Sequence, residues 1–595
     1  MTHQVGDIWL KHGRSWLFYS HPQHIFQTKE VSKVIETLQQ AENMAQSQNL
    51  IAVGFVSYEA SGAFDSALQT HDASGDFPLI WFGLYDVTKR KEQESLPIPD
   101  GNYEIGSWQG NLPADEYAKS IDKVKRYIAQ GDTYQVNYTY RLQTEFRGDP
   151  YPFFYKMNQA QHGSYSAYIY LENYAICSAS PELFFELEGT SLSSKPMKGT
   201  VKRGFKFADD DRIGRWLQNS AKNRAENVMI VDMIRNDMSR IAQLGTVKVP
   251  KLFEITPYPT LWQMTSTVVS QIKPETSMGD IFNALFPCAS ITGAPKVRTM
   301  QIIKELERAP RQLYCGTIGQ FDGQGTAQFN VAIRTVIIDR ANQKAEYGVG
   351  GGIVWDSNSQ EEYGECHTKA AVLTAKRPSF DLLETILWEP GKDYFALKRH
   401  LGRMVESADY FGYPIKVGEV IDLLYDLSDT FSADQYHKVR LLLSASGWPR
   451  VESSPFTPNP DKVWRLALAS RPVDSQDIFL YHKTTHRAVY DPAVAERNRL
   501  GVDDVILWNE KGELTETIIG NIALKIDGSW FTPPVESGLL GGTYRSRLLA
   551  LGGLREKKLV RADLARAEGV AMLNSIRKWC HAELVTPHPN TRPPQ

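Results

Sequence analysis

Cysteine is scarce in this chain of 595 residues, and the few cysteines lie far apart in the sequence. They are Cys177, Cys288, Cys315, Cys366 and Cys580. Five scattered cysteines indicate neither a disulfide framework nor a thiolate zinc site, and they favour a reducing environment. The chain also lacks a basic N-terminal region followed by a long apolar run, and it contains no stretch of about 18 apolar residues. We therefore expect a cytoplasmic protein without a membrane partner.

The chain has no excess of charge of either sign, since 66 basic residues are balanced by 69 acidic ones. No long-range field attracts nucleic acid or an anionic membrane, so neither is expected as a partner. Hydrophobic residues make up 42% and charged residues 23%, which is typical of globular proteins and excludes wholesale disorder. Because 595 residues exceed one ordinary hydrophobic core, two or more domains are expected.

The clearest domain boundary lies at residues 374–379, where a helical pattern ends in two basic residues and a proline before a new apolar run. This pattern divides the chain into predicted domains of residues 1–376 and 377–595. A smaller N-terminal lobe, residues 1–100, is expected ahead of the next confident helical pattern.

Helical and strand patterns are mixed along the chain. The clearest helix is predicted over residues 112–131, where apolar residues recur at helical spacing between an acidic start and Gly131. Short runs rich in β-branched and aromatic residues predict strands elsewhere. Because helices and strands do not alternate regularly, an α+β fold is favoured over a doubly wound sheet.

Several common catalytic motifs are missing, among them GxxxxGK[ST], HExxH, CxxC and GxSxG. The run GVGGGI at residues 348–353 lacks the third glycine of a dinucleotide fingerprint, because Ile353 occupies that position. Its simplest interpretation is a flexible loop at the end of a strand. The alternative is that consecutive glycines expose backbone amides and admit a ligand at close range.

Two acidic segments each allow a structural and a functional interpretation. Glu226 shares a helical face with apolar residues, so it either pairs with a core arginine or binds a hard cation such as Mg²⁺. Glu365 and Lys369 are four residues apart on a predicted helix. They form either an exposed ion pair or a metal ligand beside an anion-binding cation.

Lys198 lies between a proline and a glycine in the run KPMKGT. A surface turn is the simplest interpretation of this run. A lysine in a partly dry pocket, however, loses its proton more readily and can act as a nucleophile or base.

The order of several segments in the N-terminal part resembles that of the chorismate-utilising enzymes. The segments are SPELFF, KPMKGT, AENVMIVDMIRND, SITGAPKVRTM, YCGTIG, IRT and GVGGGIVWDS followed by EEYGECHTK. The resemblance is close over residues 111–369 and weaker over residues 1–86. It implies a chorismate-binding domain with a β-sandwich-like core and helices.

Within that family, the fourth position of KPMKGT separates the activities. Anthranilate synthases carry alanine there, whereas component I of 4-amino-4-deoxychorismate synthase carries lysine, as this chain does at Lys198. The resemblance implies that Lys198 attacks C2 of chorismate, that Glu182 is the general acid for loss of the C4 hydroxyl, and that ammonia then adds at C4. An anthranilate or salicylate synthase is the alternative.

The same resemblance implies Mg²⁺ held by Glu226 and Glu365, and it assigns a set of substrate-binding residues. These are Thr292, Tyr314, Arg334, Gly350, Gly351 and Lys369. Nothing in the chain resembles the nucleophilic cysteine elbow of a glutamine amidotransferase. Ammonia is therefore expected from a separate glutaminase subunit, component II, as a partner.

The C-terminal part resembles the fold-type IV pyridoxal-phosphate enzymes through FDLLETI, HLGRM, YHKTT, LTET and SGLLGGTYR. The resemblance implies a two-lobed α+β domain in which Lys483 is the Schiff-base lysine, Glu516 faces the pyridine nitrogen and Arg403 binds the phosphate. The further cofactor-binding residues that it implies are Thr543, Tyr544 and Ser575. A homodimer is expected by analogy with this fold type.

Fold-type IV includes branched-chain aminotransferases, D-amino acid aminotransferases and 4-amino-4-deoxychorismate lyase, which share these cofactor residues. Fusion behind a domain that makes aminodeoxychorismate favours the lyase, which releases pyruvate and 4-aminobenzoate. The expected function is thus bifunctional synthesis of 4-aminobenzoate, a folate precursor, with Mg²⁺ and pyridoxal phosphate as cofactors. The alternatives for the C-terminal domain are an aminotransferase and a scaffold without cofactor chemistry.

Overall fold

A computed structural model of the chain describes residues 3–73, 75–161, 163–374 and 378–585. The described residues form two compact units. The first comprises the residues up to Arg203 and those from Gly214, and the second comprises Gly204–Ile213 and the residues from Pro378. The boundary predicted between residues 376 and 377 lies outside the described residues.

Helices in the N-terminal part of the chain surround two large antiparallel sheets. The helices that precede residue 371 are α1 (Val34–Gln48), α2 (Ser61–Phe64), α3 (Ala114–Ala129), α4 (Pro150–Gln161), α5 (Phe207–Asn219), α6 (Ala221–Ser239), α7 (Met278–Leu285), α8 (Lys296–Leu306) and α9 (Ser359–Ala370). Helix α3 confirms the helix predicted over residues 112–131. Its apolar face buries Tyr117, Ile121 and Val124, and Gly131 follows it in a left-handed conformation.

The strands of the first unit are β1 (Asp7–His12), β2 (Ser15–Tyr19), β3 (His24–Thr28), β4 (Leu50–Val56), β5 (Ile80–Asp86), β6 (Lys91–Gln93), β7 (Tyr103–Ile105), β8 (Gln109–Gly110), β9 (Gln135–Gly148), β10 (Ala167–Tyr170), β11 (Tyr174–Ser178), β12 (Leu183–Glu188), β13 (Ser191–Lys195), β14 (Met197–Lys202), β15 (Lys248–Pro257), β16 (Leu261–Gln271), β17 (Gly293–Ala294), β18 (Thr317–Asp322), β19 (Thr326–Asn330), β20 (Thr335–Asp339) and β21 (Lys344–Ile353). One sheet has the order β17-β9-β21-β20-β11-β10-β1-β2-β6, and the other has the order β14-β16-β13-β12-β19-β18-β4-β5-β3.

The core of the first unit lies between these two sheets. One buried cluster combines Ile8 and Leu17 of the first sheet with Val53, Phe55 and Trp81 of the second. Residues on the inner faces of both sheets therefore pack together, as in a β-sandwich. Helices α1, α6 and α7 contribute to a second cluster on the other side of the β4-containing sheet.

The glycine run at residues 348–353 is not a loop, so that expectation was wrong. It forms the end of β21, where Gly350, Gly351 and Gly352 pair with β9. A β-carbon at Gly350 would lie 2.2 Å from the Tyr138 carbonyl oxygen. A β-carbon at Gly348 would lie 2.1 Å from Cγ of the Tyr314 ring. Glycine is needed here because neighbouring groups already occupy the space of a side chain.

The second unit has two lobes, each built on its own sheet. Its helices are α10 (Leu397–Phe411), α11 (Val417–Ser428), α12 (Asp491–Leu500) and α13 (Thr543–Ala550). Its strands are β22 (Leu382–Glu389), β23 (Asp393–Tyr394), β24 (Tyr436–Leu443), β25 (Pro449–Phe456), β26 (Trp464–Leu468), β27 (Asp504–Trp508), β28 (Leu514–Thr517), β29 (Asn521–Ile526), β30 (Ser529–Thr532), β31 (Arg555–Glu556), β32 (Gly569–Asn574) and β33 (Lys578–Leu584).

The first lobe is the sheet β23-β22-β24-β25, and the second is the sheet β28-β27-β26-β33-β32-β29-β30-β31. Each sheet has its own buried apolar cluster. Mixed helices and sheets in both units confirm the α+β fold class. Over the described ranges, no helix combines the length and the apolar character needed to cross a membrane.

Candidate active sites

A cavity of approximately 480 Å³ in the first unit gathers most of the residues that the resemblance assigned to chorismate and its metal. The assigned residues in its lining are Glu182, Lys198, Glu226, Tyr314, Arg334, Gly350, Gly351, Glu365 and Lys369. They come from β14, β21, α6, α9 and three connecting segments. The fold therefore brings together residues that are far apart in the sequence; the two most distant, Glu182 and Lys369, are separated by 187 positions.

Thr292 is the one assigned residue of this set that does not line the cavity. Its side chain is fully buried, and its hydroxyl donates hydrogen bonds to the carbonyl oxygens of Cys288 and Ala289, each at 3.3 Å. Ser290 and Ile291 line the cavity instead. Thr292 thus supports the turn that places Ser290 at the cavity wall.

Glu182 lies immediately before β12 and is only 3% exposed. Its Oε1 accepts a hydrogen bond from the Met197 amide at 3.4 Å. Burial raises the pKa of Glu182 to about 7, although the donors around it and the charge of Lys198 oppose the shift. This carboxyl group can therefore hold a proton near neutral pH.

Lys198 directs its side chain toward the glycine end of β21. A β-carbon at Gly352 would lie 2.5 Å from the Lys198 Nζ, so the glycine leaves room for the amine. Burial lowers the pKa of Lys198, and Glu226 opposes this shift. No hydrogen bond from the Lys198 Nζ is found among the described residues. A neutral, unengaged amine is the form that a nucleophilic lysine needs.

Sequence reasoning missed Gln135, the first residue of β9, which borders the same amine. Its Nε2 would lie 2.8 Å from a β-carbon at Gly352. Gln135 is fully buried, and neither its Nε2 nor its Oε1 has a hydrogen-bond partner among the described residues. A buried primary amide without partners is costly unless a ligand satisfies it. No local pattern distinguished this glutamine from an ordinary strand residue.

Arg334 and Lys369 supply positive charge to the cavity. The Arg334 Nη1 donates to the Lys369 carbonyl oxygen at 2.5 Å, which joins the two residues. The Lys369 Nζ lies 2.7 Å from Glu365 Oε1 and donates to the Gly350 carbonyl oxygen at 2.9 Å. The positive charge of Lys369 makes the largest contribution to lowering the pKa of Glu365. Glu365 and Lys369 thus form an ion pair, and both of its members line the cavity.

Glu226 is one of the carboxylates that line the cavity. No hydrogen bond and no ion pair of its side chain is found among the described residues, so the predicted pairing with a core arginine is not observed. Glu226 and Glu365 both act electrostatically on Lys198, which places them close to the same amine. Across the described ranges, no three His, Cys, Asp or Glu side chains are grouped so that they alone could hold a metal ion.

In the second unit, Lys483 is a half-buried and Glu516 a buried ionisable group. Burial, reinforced by Arg403, lowers the pKa of Lys483 to about 8. Burial raises the pKa of Glu516 to about 8, although the Tyr490 hydroxyl donates a hydrogen bond of 2.8 Å to its Oε1. No hydrogen bond from the Lys483 Nζ is found among the described residues. The amine is thus available to a ligand.

Arg403 forms a two-point contact with Glu384, a residue that sequence reasoning did not single out within FDLLETI. Its Nε and Nη2 donate to the two carboxylate oxygens at 2.8 and 2.6 Å, and its Nη1 donates to the Gly541 carbonyl oxygen at 3.1 Å. His400 contacts the same carboxylate at 2.6 Å. Burial opposes ionisation of Glu384, but Arg403 and His400 outweigh it and lower the pKa to about 2.

The remaining assigned residues of the second unit surround this cluster to different degrees. The Thr543 Oγ1 lies 3.2 Å from the His400 Nε2, at the start of α13. The Ser575 hydroxyl donates to the Thr385 carbonyl oxygen at 3.1 Å. No hydrogen bond of the Tyr544 hydroxyl is found among the described residues, and its ring centroid lies 6.1 Å from that of Phe395. Thr543 is therefore joined to the Arg403 cluster, whereas Ser575 is joined to the backbone of β22.

These residues fit pyridoxal phosphate. A half-buried amine without a hydrogen-bond partner among the described residues, a buried carboxyl group and a fixed guanidinium are the groups that bind its aldehyde, its ring nitrogen and its phosphate. Gly542, beside the guanidinium, has no room for a side chain, since a β-carbon there would lie 2.0 Å from the Asn521 Oδ1. Exposed amides at the start of α13 suit an anion.

Comparisons with known proteins match two families to successive parts of the chain. The family described as chorismate binding enzyme matches residues 7–375, and amino-transferase class IV matches residues 381–583. Aminodeoxychorismate synthase component 1 of Escherichia coli (strain K12) is 40% identical over 340 residues, which cover 53% of this chain and 75% of that protein. Anthranilate synthase component 1 of Aquifex aeolicus (strain VF5) is 33% identical over 289 residues, which cover 48% of this chain and 58% of that protein.

The crystal structure of anthranilate synthase component I from Streptococcus pneumoniae TIGR4 shares the fold of the first unit. Its sequence is 23% identical to this one, and the matched region covers 61% of this chain and 92% of that chain. The TM-score of the match is 0.52. The first family match spans more than half of the chain, and the second implies pyridoxal phosphate as a cofactor. Both resemblances drawn from the motifs are therefore confirmed. The chain belongs to the chorismate-binding enzymes and continues into a class IV aminotransferase domain.

Proposed function

We propose that the first unit converts chorismate and ammonia to 4-amino-4-deoxychorismate and that the second unit converts this product to 4-aminobenzoate and pyruvate. The observation that carries the proposal is one cavity with Lys198, whose pKa is lowered, and Glu182, whose pKa is raised to about 7. An amine able to attack and a carboxyl group able to donate a proton are thus present together. The relative named aminodeoxychorismate synthase component 1 supports the same reaction.

In the first reaction the neutral Lys198 amine forms a bond to C2 of chorismate. The ring double bonds shift, the C4–O bond breaks, and Glu182 donates the proton that leaves with the hydroxyl group as water. Ammonia then forms a bond to C4 while the electrons return and the bond between C2 and Lys198 breaks. The lysine leaves unchanged, so water is the only by-product.

Chorismate carries two carboxylates, and the cavity contains cationic side chains that can pair with them. Arg334 can hold one carboxylate with its planar guanidinium, and Lys369 can contribute a second charge. We assign Glu226 and Glu365 as ligands of Mg²⁺, which usually takes one or two protein carboxylates and completes its shell with water and substrate. The lack of a partner for Glu226 among the residues that the structure describes supports this assignment. Bound Mg²⁺ would neutralise a substrate carboxylate.

In the second unit we assign Lys483 as the residue that holds pyridoxal phosphate covalently, Glu516 as the partner of its ring nitrogen and Arg403 as a phosphate ligand. When bound, the cofactor supplies an electron sink next to the substrate amino group. Lys483 then moves the proton that is lost at C4 as pyruvate leaves. A pKa near 8 suits this task, because the amine can both accept and release a proton near neutral pH.

The ammonia for the first reaction is proposed to come from a separate glutaminase subunit or from free ammonium. The proposed order of the two reactions rests on their chemistry, since the product of the first is the substrate of the second. An aminotransferase on the C-terminal side would need an amino acceptor, which the first reaction does not provide.

A single assay tests the proposal. Purified protein incubated with chorismate, ammonium, Mg²⁺ and pyridoxal phosphate should form 4-aminobenzoate and pyruvate in equal amounts, measured by chromatography and by a coupled pyruvate assay. Removing Mg²⁺ with a chelator should stop both products, and adding Mg²⁺ should restore them. Anthranilate as the product would overturn the first assignment. Aminodeoxychorismate without 4-aminobenzoate would overturn the second.

The protonated Glu182 predicts an alkaline limb in the pH profile of the first reaction. The raised pKa means that the carboxyl group donates its proton below about pH 7 and loses it above, so kcat/KM for chorismate should fall as pH rises through about 7. The measurement is made at a fixed concentration of free ammonia, because ammonium also titrates. Glu182→Gln should lower the rate by about 10²-fold to 10⁴-fold and abolish the limb.

Glu186→Gln is the matched control for this variant. Glu186 lies on β12 close to Glu182 in sequence, but its Oε1 accepts from Gln328 at 2.8 Å and it does not line the cavity. Its substitution should leave both the rate and the pH profile unchanged. A Glu182→Gln variant that kept the alkaline limb would show that another group donates the proton.

A further inference from the structure

The second unit contains a segment from far upstream in the sequence, Gly204–Ile213. Its first three residues, Gly204, Phe205 and Lys206, we name the brace segment. The class IV family match begins only at residue 381, so the brace segment lies outside it. It is nevertheless part of the unit that carries Lys483.

The brace segment contacts the residues immediately before Lys483. The rings of Phe205 and Tyr481 are stacked, with centroids 5.6 Å apart and planes inclined by 15°. The His482 Nε2 lies 3.0 Å from the Phe205 carbonyl oxygen. Because a carbonyl oxygen only accepts, the Nε2 carries the hydrogen and donates it. Both residues that precede Lys483 are thus held by Phe205.

His482 transmits this contact to helix α10. Its Nδ1 lies 3.0 Å from the Ser407 hydroxyl, which donates to it when the imidazole is neutral. His482 is 4% exposed, and its ring packs on Tyr410 with centroids 4.4 Å apart. The Tyr410 hydroxyl donates to the Gly204 carbonyl oxygen at 2.8 Å. Helix α10, which also carries Arg403, is therefore tied to the brace segment at two points.

The third contact reaches the loop before α13. The Lys206 ammonium pairs with the Glu536 carboxylate. A few residues later, the Leu540 amide donates to Glu516 at 3.3 Å and the Gly541 carbonyl accepts from Arg403. The brace segment thus contacts the residues before Lys483, helix α10, which carries Arg403, and the loop whose later residues contact Glu516 and Arg403.

We propose that the brace segment, with Phe205 at its centre, is a positioning element for Lys483 in the second reaction. This inference rests on the proposed role of Lys483. It assigns to residues upstream of the class IV domain a part in building the cofactor site of that domain. Without the Phe205 ring, Tyr481 loses its stacking partner, and the segment Tyr481–His482 that directs the lysine side chain is held by fewer contacts.

The test uses the full chain with Phe205→Ala, the conservative Phe205→Tyr and the control Phe456→Ala, which removes another half-buried phenylalanine of the same unit. Loss of one aromatic pair predicts that Phe205→Ala binds pyridoxal phosphate about threefold to tenfold more weakly. Titration of the apoprotein, followed by the visible absorption of the bound cofactor, gives the dissociation constant. Phe205→Tyr and Phe456→Ala should match the wild type.

A second readout separates positioning from general destabilisation. Looser packing admits water to Lys483 and removes part of the burial that lowers its pKa. The pH midpoint for covalent capture of pyridoxal phosphate should therefore rise in Phe205→Ala and return to the wild-type value in Phe205→Tyr. His482→Phe, which keeps a ring but loses both hydrogen bonds, should shift the midpoint in the same direction.

The outcomes distinguish this inference from the proposed function. If the wild type captures the cofactor and Phe205→Ala matches it in both affinity and pH midpoint, the positioning role is overturned and the proposed function stands. If the wild type does not capture the cofactor at Lys483, both are overturned. A lower unfolding temperature of Phe205→Ala with an unchanged midpoint would also contradict positioning.

Discussion

Lys198→Ala should lower kcat of the first reaction by at least about 10³-fold, since the substitution removes the proposed nucleophile. Chorismate binding should change far less, because Arg334 and Lys369 remain in the cavity. Formation of aminodeoxychorismate is followed by chromatography under single-turnover and steady-state conditions, and chorismate affinity is measured by equilibrium dialysis. A loss of rate with retained affinity is the pattern expected for a group that acts on the reacting atoms.

Lys202→Ala is the control for this substitution. Lys202 lies on the same strand, β14, but it is exposed and does not line the cavity. Its replacement should leave kcat within about twofold of the wild type, as expected for a surface site. If Lys198→Ala retained the wild-type rate, a mechanism through a covalent lysine would be wrong, and direct attack of ammonia on chorismate would replace it.

The sequence predicted most of the residues that line the cavity because those residues stand in runs with distinctive neighbours. Lys198, Glu226 and Lys369 are far apart in the chain, yet each belongs to a segment whose order resembles one family. The sequence could not show how deeply these side chains are buried or how far apart they lie in the folded protein. The lowered pKa of Lys198 and the raised pKa of Glu182 both result from desolvation, which depends on the folded surroundings.

Residues that act through others were harder to predict. Thr292 was assigned to substrate, whereas its hydroxyl caps backbone carbonyls behind the cavity. Gln135 and Glu384 were not singled out, because a buried amide and a buried carboxylate look ordinary in a strand pattern. The inclusion of Gly204–Ile213 in the second unit was also not predicted, since long-range packing leaves no local signal.

In both units, burial shifts the pKa values of a lysine and a glutamate in opposite directions. Each contains a lysine whose pKa is lowered by burial and a glutamate whose pKa is raised by burial: Lys198 with Glu182, and Lys483 with Glu516. Removal from water disfavours the charged form of both groups, which lowers the pKa of each lysine and raises the pKa of each glutamate. The opposite pKa shifts of the two groups therefore follow from a shared cause, burial, rather than from a specific hydrogen bond.

Lys483→Ala should abolish release of 4-aminobenzoate and pyruvate, with a loss in kcat of the second reaction of at least about 10³-fold. The variant should also lose the visible absorption that marks covalent capture of pyridoxal phosphate. Aminodeoxychorismate should accumulate from chorismate at the wild-type rate, because Lys198 and its cavity are unchanged. Absorption spectra and product chromatography on the same samples test both expectations.

Lys525→Ala provides the comparison, because Lys525 belongs to β29 of the same unit and pairs with Glu568 near the surface. It should keep both the absorption and the second activity. The decisive sample is Lys483→Ala supplied with excess pyridoxal phosphate, since Arg403 and Glu516 still offer ligands to the phosphate and ring. Cofactor that binds there without covalent capture cannot exchange a proton with the missing amine. Pyruvate formation at the wild-type rate in that sample would therefore assign proton transfer to a different residue, even if the absorption band were lost.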